Sequence, residues 1–448
     1  MFQEPLASMA SMAAGLAALV AAKAAASALG VLGIAERSSA MTNVAQQTGS
    51  DKTSIRPFRV NFPEAELVEL RRRIDATKWP ERETVNDQSQ GPQLATIQKL
   101  ARYWTTEYDW RKVEARLSAL PNFITEIDGL DIHFIHVRSK HENALPLIVT
   151  HGWPGSIIEQ LKIVEPLTNP TAHGGNASDA FHLVIPSIPG YGFSAKPTTT
   201  GWGPAHIGRA WVALMKRLGY EKFVAQGGDW GAVITDVMAA QKPPGLLGIH
   251  SNMPGIFPPD IDKLALTGAP TPSGLSADEK VAYEQLVLEY AKGIGYGYQM
   301  GLRPQALYGI ADSPVGIAGY FLDHDARSLA MISRVFDGQS EGLTRDDVLD
   351  NVTLTWLTNT FVSGARLYWE DFQAGVSFFG VKGVQIPVAV SVFPDELYQA
   401  PRSWAEQAYP KLMHYNRLPK GGHFAAWEQP KLFTDEVRAG FRPLQWNR

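Results

Sequence analysis

Two kinds of hydrophobic pattern alternate along most of this 448-residue chain. Short, continuous apolar runs predict buried strands, whereas runs with apolar residues three or four positions apart predict helices. Six apolar runs predict strands: Leu147–Thr150, Phe181–Ile185, Lys222–Gln226, Leu246–Ile249, Pro387–Val392 and Leu412–Arg417. Predicted helices separate most of these strands and include Ile157–Thr168, His206–Leu218 and Leu432–Phe441. Buried strands that alternate with helices are typical of a mostly parallel sheet covered on both faces, so we expect an α/β fold.

The interval from about Pro254 to Gly380 interrupts this alternation. It contains helical runs, such as Ser276–Ala291 and Leu354–Tyr368, between two predicted strands of the sheet. Sheets of this class bind ligands outside the carboxyl ends of their strands. We therefore expect this helical insertion to form a lid over that edge.

An alternating pattern precedes the parallel strands. Phe123–Ile127 and Leu130–Val137 flank Asp128-Gly129, which is a strong signal for a hairpin. His133 and His136 resemble a ligand pair, but residues three apart on a strand point to opposite faces. We interpret both histidines as structural.

The segment before the hairpin carries helical patterns but no catalytic constellation of its own. One apolar stripe contains Leu67, Leu70 and Ile74, and the helix that it predicts ends at Trp79-Pro80. A second stripe runs from Leu94 to Trp104. We expect this segment to form an N-terminal extension that wraps the main domain.

The first forty residues form an Ala-rich leader whose role the sequence leaves open. Pro5 to Ala35 carries one charge, Lys23, and predicts a helix that is a signal peptide, a membrane anchor or a packed element. No positive residue precedes it, which disfavours a signal peptide. Lys23 lies mid-run, where a charge costs about 2.5–3.5 kcal/mol on insertion scales. Cytoplasmic and exported locations therefore both stay open, and membrane contact is expected only through this leader.

These patterns divide the chain into five parts. The predicted boundaries are a leader and linker at 1–54, the extension at 55–121, the first part of the core at 122–253, the lid at 254–381 and the second part of the core at 382–448.

The composition of the chain excludes several classes of function and of site. The net charge is −4, and no block of Lys and Arg is long enough to indicate nucleic-acid binding. The chain has no Cys, which excludes thiolate nucleophiles and Cys-ligated metals. The sequence shows no cluster of histidine ligands, which disfavours a metal enzyme. The oligomeric state stays open, a homo-oligomer included.

The catalytic prediction begins at Gly227-Gly228-Asp229-Trp230-Gly231. This stretch lies between a buried strand and a helical pattern, as a nucleophile elbow does, with Asp229 where esterases carry Ser. A second candidate, Gly338-Gln-Ser340-Glu-Gly342, follows no buried strand, and we interpret it as a loop. Asp229 is therefore the predicted nucleophile.

Two loops supply the predicted partners of Asp229. Trp153 follows an early strand in Thr150–Ser156, so its N–H and that of Trp230 are candidate donors of an oxyanion hole. His423 follows the last strand, in the position of a general base.

A third residue, an acid that orients the base, would complete a catalytic triad. We expect it in the loop after the strand that precedes the last one. Asp395 and Glu396 are adjacent there, and only one of them can point inward. We favour Glu396, which would hold the imidazole tautomer of His423.

A carboxylate nucleophile favours attack on an sp³ carbon, because attack on a carbonyl would give a labile anhydride. The substrate is then an epoxide or an alkyl halide, and His423 with Glu396 activates water to cleave the resulting ester. The oxyanion would form on Asp229, beneath the amides of Trp153 and Trp230. The residues so far do not distinguish the two leaving groups.

An epoxide opens to an alkoxide, which needs a proton donor. A phenol of pKa ~10 stays neutral at pH 7 and can supply that proton. Tyr296 and Tyr368 in the predicted lid are candidates, although the sequence alone does not single them out from 14 tyrosines.

Several motifs in order resemble the microsomal-type epoxide hydrolases of the α/β-hydrolase superfamily, the group that includes insect juvenile hormone and fungal enzymes. The resemblance runs from Arg56 to about Pro443. It rests on His151-Gly-Trp-Pro154, Pro186-Ser-Ile-Pro-Gly-Tyr-Gly-Phe-Ser194, Gly227-Gly-Asp-Trp-Gly231, Asp312-Ser-Pro-Val-Gly316, Phe393-Pro-Asp-Glu396 and Gly421-Gly-His-Phe-Ala-Ala426. The extension, with Arg56-Pro-Phe and Lys78-Trp-Pro, resembles the extension of this family, which embraces the lid.

The resemblance implies an α/β-hydrolase fold and assigns roles to residues that match the motifs. Asp229 resembles the nucleophile, His423 the base and Glu396 the acid. Tyr296 and Tyr368 resemble the two oxirane-binding tyrosines, with Tyr298 as an alternative to Tyr296.

The resemblance also implies the reactants. The family works without a cofactor on a small-molecule epoxide and water, detoxifying substrates of the cis-stilbene oxide type.

Two other functions serve as alternatives. A haloalkane dehalogenase also uses an elbow Asp followed by Trp, but that family typically has Asn where this chain has Trp153. A non-catalytic binding protein of the same fold would usually have lost a member of the triad, and this chain keeps Asp229, Glu396 and His423.

Overall fold

The protein is described by a computed structural model that covers residue 51 and residues 53–339 and 342–445. The predictions for the leader lie outside the described residues, and so does Ser340 of the second glycine motif. Within the described ranges, no helix is both long and apolar enough to cross a bilayer.

A nine-stranded sheet forms the centre of the fold, with the strand order β1-β2-β3-β5-β4-β6-β7-β8-β9. The strands are β1 (Arg56–Pro57), β2 (Asn122–Ile127), β3 (Leu130–Val137), β4 (Leu145–Thr150), β5 (Phe181–Pro186), β6 (Phe223–Gly227), β7 (Leu246–Ser251), β8 (Val388–Val392) and β9 (Leu412–Arg417). The strands from β5 to β9 pair in parallel, whereas β1, β2 and β3 pair antiparallel. This mostly parallel sheet confirms the predicted α/β-hydrolase fold.

Helices cover the sheet and fill the insertion between β7 and β8. The extension contains α1 (Glu64–Asp75), α2 (Leu94–Thr106) and α3 (Trp110–Ser118). The first part of the core contains α4 (Val164–Thr168), α5 (Pro204–Arg217) and α6 (Trp230–Ala240). The inserted helices are α7 (Pro259–Leu266), α8 (Ala277–Leu288), α9 (Gly295–Leu302), α10 (Tyr308–Ala311), α11 (Pro314–Leu322), α12 (Ala326–Phe336), α13 (Arg345–Thr358) and α14 (Phe361–Ala374). The second part of the core contains α15 (Arg402–Ala408), α16 (Ala425–Glu428) and α17 (Pro430–Gln445).

The predicted helix Leu354–Tyr368 is wrong, because its sequence spans the end of α13 and the start of α14. Asn359 separates the two helices and adopts a left-handed conformation, with φ 50° and ψ 45°. Asn tolerates this conformation better than most residues do and commonly ends helices in this way. The predicted helix Ile157–Thr168 starts as a 3₁₀ helix, Ile157–Ile163, before α4.

The extension packs against the inserted helices rather than against the sheet alone. The buried indole of Trp104 in α2 donates a hydrogen bond to Thr353 in α13 at 3.0 Å. The hydroxyl of Tyr108 donates to Asp350 in α13 at 2.9 Å. The extension therefore braces α13, which directly precedes the helix that carries Tyr368.

His133 and His136 contact neither the elbow nor each other. The ring nitrogens of the buried His133 hydrogen-bond to Ser187 and Asn122, each at 3.0 Å. His136 hydrogen-bonds to the hydroxyl of Tyr220 at 2.8 Å. Both imidazoles thus stabilise the packing around β3.

Candidate active site

Asp229 lies at the turn between β6 and α6 with φ 51° and ψ −128°. A positive φ is uncommon for a residue other than glycine, and such strain clusters at functional sites. The turn packs against β4 so closely that a Cβ on Gly231 would lie 2.0 Å from the carbonyl oxygen of Thr150. Only glycine allows this approach, which explains the small residues of the predicted elbow.

Two backbone amides face the carboxylate of Asp229. The N–H of Trp153 donates to Oδ1 at 2.7 Å. Burial raises the pKa of Asp229, while the imidazoles of His423 and His324 and the amides of Trp153 and Trp230 act in the opposite direction. Trp230 is the first residue of α6, so its N–H has no partner within the helix. The two predicted oxyanion-hole donors therefore meet at one carboxylate.

His423 bridges Asp229 and Glu396. Its Nε2 lies 3.6 Å from Oδ2 of Asp229, and its Nδ1 lies 2.6 Å from Oε1 of Glu396. Burial alone would lower the pKa of His423, but the carboxylates of Glu396, Asp229 and Asp325 outweigh it and raise that pKa to about 10. Asp395 is exposed, whereas Glu396 is buried. Of the two adjacent carboxylates, Glu396 is the one that contacts the imidazole.

Two phenols from different inserted helices meet above Asp229. The rings of Tyr296 in α9 and Tyr368 in α14 are 6.1 Å apart at 84°. Tyr296 stacks on Trp153 at 4.7 Å, and Tyr368 meets the ring of Trp230 edge-on at 4.7 Å. Burial raises the pKa of both phenols well above 10, and nearby carboxylates raise it further. Both tyrosines are therefore neutral hydrogen-bond donors at neutral pH.

Tyr298, the alternative to Tyr296, lies elsewhere. Its half-buried ring packs against Phe372 at 6.1 Å. Two residues along a helix differ by about 200° in direction, so Tyr296 and Tyr298 face opposite sides of α9.

A second imidazole, absent from the predicted site, lies beside His423. His324 precedes α12, and its ring centroid is 4.3 Å from that of His423. A ring nitrogen of each histidine and a carboxylate oxygen of Asp229 lie within 4.8 Å of one another, close enough to share a metal ion. Sequence spacing did not reveal this pair, because about a hundred residues separate the two histidines. The segment between them includes inserted helices, strands β8 and β9, and α15.

Glu159 is a second residue that the sequence reasoning missed. It lies on the 3₁₀ helix Ile157–Ile163, where burial raises its pKa to about 8. A cavity of about 20 Å³ beside Asp229 is lined by Glu159, Gln160, Asn252 and His423, among others. A cavity of this size has room for about one water molecule.

Comparisons with known proteins identify the family of this chain. Residues 55–160 match the family described as the epoxide hydrolase N terminus, and residues 146–285 match the alpha/beta hydrolase fold. A protein of Stigmatella aurantiaca named as an epoxide hydrolase is 51% identical over 392 residues, covering 87% of this chain and 86% of that protein. This chain belongs to the epoxide hydrolases.

Other members of the family share less sequence identity with this chain. Epoxide hydrolase 1 of Oryctolagus cuniculus is 34% identical and covers 88% of this chain and 90% of that protein. The crystal structure of juvenile hormone epoxide hydrolase from Bombyx mori superposes with a TM-score of 0.77 at 31% identity, covering 88% of this epoxide hydrolase and 96% of that chain. The family resemblance that the motifs indicated is thus confirmed.

The contact between Glu396 and His423 predicts a change in the pKa of the imidazole. Replacing Glu396→Gln removes the strongest of the carboxylates that favour imidazolium, so the pKa of His423 should fall from about 10. An NMR titration of the imidazole measures this change, and Asp395→Asn is the matched control because its carboxylate is exposed. An equal shift in both variants would contradict the assignment of Glu396.

The same substitution predicts a change in the pH dependence of stability. In the folded protein the pKa of His423 lies above its ordinary value of 6.5. The stabilisation that its proton contributes is therefore complete below pH 6.5 and is lost as the pH rises through about 10. In Glu396→Gln the loss should be smaller and complete at a lower pH, as urea unfolding at a series of pH values would report.

Proposed function

We propose that Asp229 attacks a carbon of an epoxide and forms a covalent ester, which His423 and Glu396 then hydrolyse to release a vicinal diol. The observation that carries this proposal is the placement of the Asp229 carboxylate. Its Oδ1 accepts from Trp153, and its Oδ2 faces His423 at 3.6 Å. The phenols of Tyr296 and Tyr368 lie near the same carboxylate, whose charge raises the pKa of both.

In the first half-reaction, the C–O bond of the epoxide breaks as the bond from Asp229 forms. The oxygen that leaves becomes an alkoxide, which is far more basic than a phenol. Tyr296 or Tyr368 donates its proton to this oxygen, and the other phenol donates a hydrogen bond. Burial keeps both phenols protonated until that moment.

Ester formation prepares His423 for the second half-reaction. The Asp229 carboxylate helps to keep His423 protonated in the free enzyme, because its charge raises the pKa of the imidazole. Esterification removes that charge, so the pKa of His423 falls. The imidazolium then gives its proton to the tyrosinate that ring opening leaves, and the neutral imidazole can act as a base. Ester formation at Asp229 therefore determines when His423 can act as a base.

Water then attacks the carboxyl carbon of Asp229. The small cavity beside Asp229 and His423 offers a place for this water, with Glu159 and Gln160 as polar partners. His423 takes a proton from the water while Glu396 stabilises the imidazolium. The oxyanion forms on Asp229, where the amides of Trp153 and Trp230 stabilise it. As the intermediate collapses, the C–O bond to the diol breaks, the diol oxygen takes the remaining proton of the attacking water, and Asp229 regains its carboxylate.

The walls of the site favour an apolar substrate. Aromatic rings surround the two phenols: Trp153 contacts Phe321 at 5.5 Å, and Trp230 contacts Phe378 at 4.8 Å. Sites for small molecules are mostly apolar, with a few polar groups that orient the ligand. We therefore infer that the inserted helices act as a lid over a small apolar epoxide.

The direct test is turnover of the purified protein on styrene oxide and 1-chlorobutane in parallel, with Asp229→Ala as the control. We expect diol from styrene oxide and no chloride release, and we expect Asp229→Ala to form no diol. Chloride release that depends on Asp229 would instead assign a dehalogenase. Diol formation that persists in Asp229→Ala would refute the nucleophile.

The two phenols predict a second result. Tyr296→Phe and Tyr368→Phe should each slow ester formation by about tenfold or more, because proton donation contributes about 10²–10⁴-fold in such reactions. Tyr298→Phe is the matched control on the opposite face of α9 and should leave the rate near that of the wild type. Stopped-flow tryptophan fluorescence follows the ester, because Trp153 and Trp230 lie beside Asp229. Full activity of both Tyr296→Phe and Tyr368→Phe would show that other groups protonate the alkoxide.

A further inference from the structure

The proposed function leaves one proton in the wrong place in every turnover. The opened epoxide keeps a proton that came from a phenol, while His423 still carries its own proton and cannot accept one from water. Before water attacks the ester, one proton must therefore travel from His423 to the phenol, and the proton that the water later gives to His423 restores the resting state. The inference that follows rests on the proposed function and concerns how this proton returns.

His324 is the side chain that contacts both ends of this route. Its ring centroid lies 4.3 Å from that of His423 and 5.2 Å from that of Tyr296. Trp153 and Phe424 enclose it, with ring distances of 5.8 Å and 5.9 Å. The imidazole is fully buried, so bulk water does not surround it.

The two nitrogens of His324 have different surroundings. Nδ1 hydrogen-bonds to Oδ2 of Asp325 at 3.0 Å. Nε2 is buried and has no hydrogen-bond partner among the described residues. This arrangement parallels that of His423, whose Nδ1 also contacts a buried carboxylate. The site thus contains two imidazole–carboxylate pairs side by side.

Asp325 is fixed and ionised. Its Oδ1 accepts from the N–H groups of Arg327 and Ser328 at 3.0 and 2.8 Å, which caps α12. Burial would raise the pKa of Asp325, but the hydrogen bond and charge of His324 hold that pKa well below its usual range. A carboxylate on Nδ1 stabilises imidazolium, as in a catalytic triad.

Packing alone does not explain this pair. A buried polar atom without a hydrogen bond costs about 1–3 kcal/mol, and a buried charge needs compensation as well. An aliphatic side chain would fill the same aromatic surroundings without either cost. Groups that break local rules of stability in this way are expected at functional sites.

We propose that His324 is a further catalytic residue, which carries one proton from His423 to Tyr296 in each turnover. Nδ1–H of His324 stays bonded to Asp325, and Nε2 takes the proton that leaves His423. The N–H bond at Nε2 then breaks as the O–H bond of Tyr296 forms again. No other bond changes, and a single water bridges any gap longer than a direct hydrogen bond.

The proton return assigns distinct roles to the two phenols. The ring of His324 contacts that of Tyr296. The ring of Tyr368 contacts those of Tyr296, Trp153 and Trp230 instead. Tyr296 is therefore the phenol that loses and regains the proton. Tyr368 orients the epoxide oxygen by a hydrogen bond.

The test uses His324→Asn in the full-length protein with styrene oxide as the probe. Asn keeps a nitrogen that can donate to Asp325, but it does not ionise. Ester formation in the first turnover should stay close to that of the wild type, while kcat falls by about tenfold or more because proton return limits the cycle. The ultraviolet difference spectrum should show tyrosinate accumulating in the steady state, and Asp323→Asn should behave as the wild type.

Asp325→Asn provides an independent variant. It keeps the side-chain oxygen that caps α12 and removes the charge that stabilises imidazolium at His324. We expect the same pattern, with kcat reduced and ester formation retained. Added imidazole buffer should restore part of the kcat of His324→Ala, which a purely structural role would not produce.

Three results would overturn the relay. An unchanged kcat in both His324→Asn and Asp325→Asn refutes it, and so does a fall in ester formation as large as the fall in kcat, because the pair would then only position other groups. If the wild-type protein forms no ester, the proposed function itself is wrong and the relay fails with it. A wild type that forms the ester, beside variants that turn over normally, refutes the relay alone.

Discussion

The buried carboxylate of Asp229 is the constraint on which the rest of the site depends. A charge removed from water must be compensated by hydrogen bonds or by an opposite charge. The amide of Trp153 and the imidazole of His423 supply that compensation in the free enzyme. The positive φ of Asp229 holds the carboxylate where both can reach it. In the proposed mechanism, the groups that stabilise the resting carboxylate also act when it becomes an ester.

The side chains of the site come from separate parts of the chain and meet at one edge of the sheet. The strands β4, β6 and β8 end beside Trp153, Asp229 and Glu396, respectively. The inserted helices bring the two phenols and His324 from the opposite side. The extension braces these helices through the hydrogen bond from Trp104 to Thr353. Catalysis in this account therefore depends on the packing between extension and insertion as well as on the sheet.

The sheet and the elbow could be predicted because both have local sequence signals. Continuous apolar runs placed each strand from β4 to β9 within two residues at either end. Adjacent carboxylates were harder to separate, since only the contact with His423 distinguishes Glu396 from Asp395. The broken helix at Asn359 was missed because the apolar pattern continues through the left-handed residue.

His324 and Glu159 could not be predicted for a different reason. Neither belongs to a motif, and each reaches Asp229 only through packing between elements that are distant in sequence. A single histidine in a long helical insertion carries no signal that separates it from a structural residue. Such residues become visible only when burial, a free nitrogen and a charged neighbour coincide in space.

The measurement that tests the central claim most directly is one turnover with excess enzyme in water labelled with heavy oxygen. If water attacks the ester carbonyl, the label enters the carboxylate of Asp229, and the first diol carries an unlabelled oxygen from that carboxylate. Mass spectrometry of the peptide containing Asp229 and of the diol distinguishes the two positions. Label in the first diol, with none in the peptide, would mean that water attacks the epoxide directly and that no ester forms.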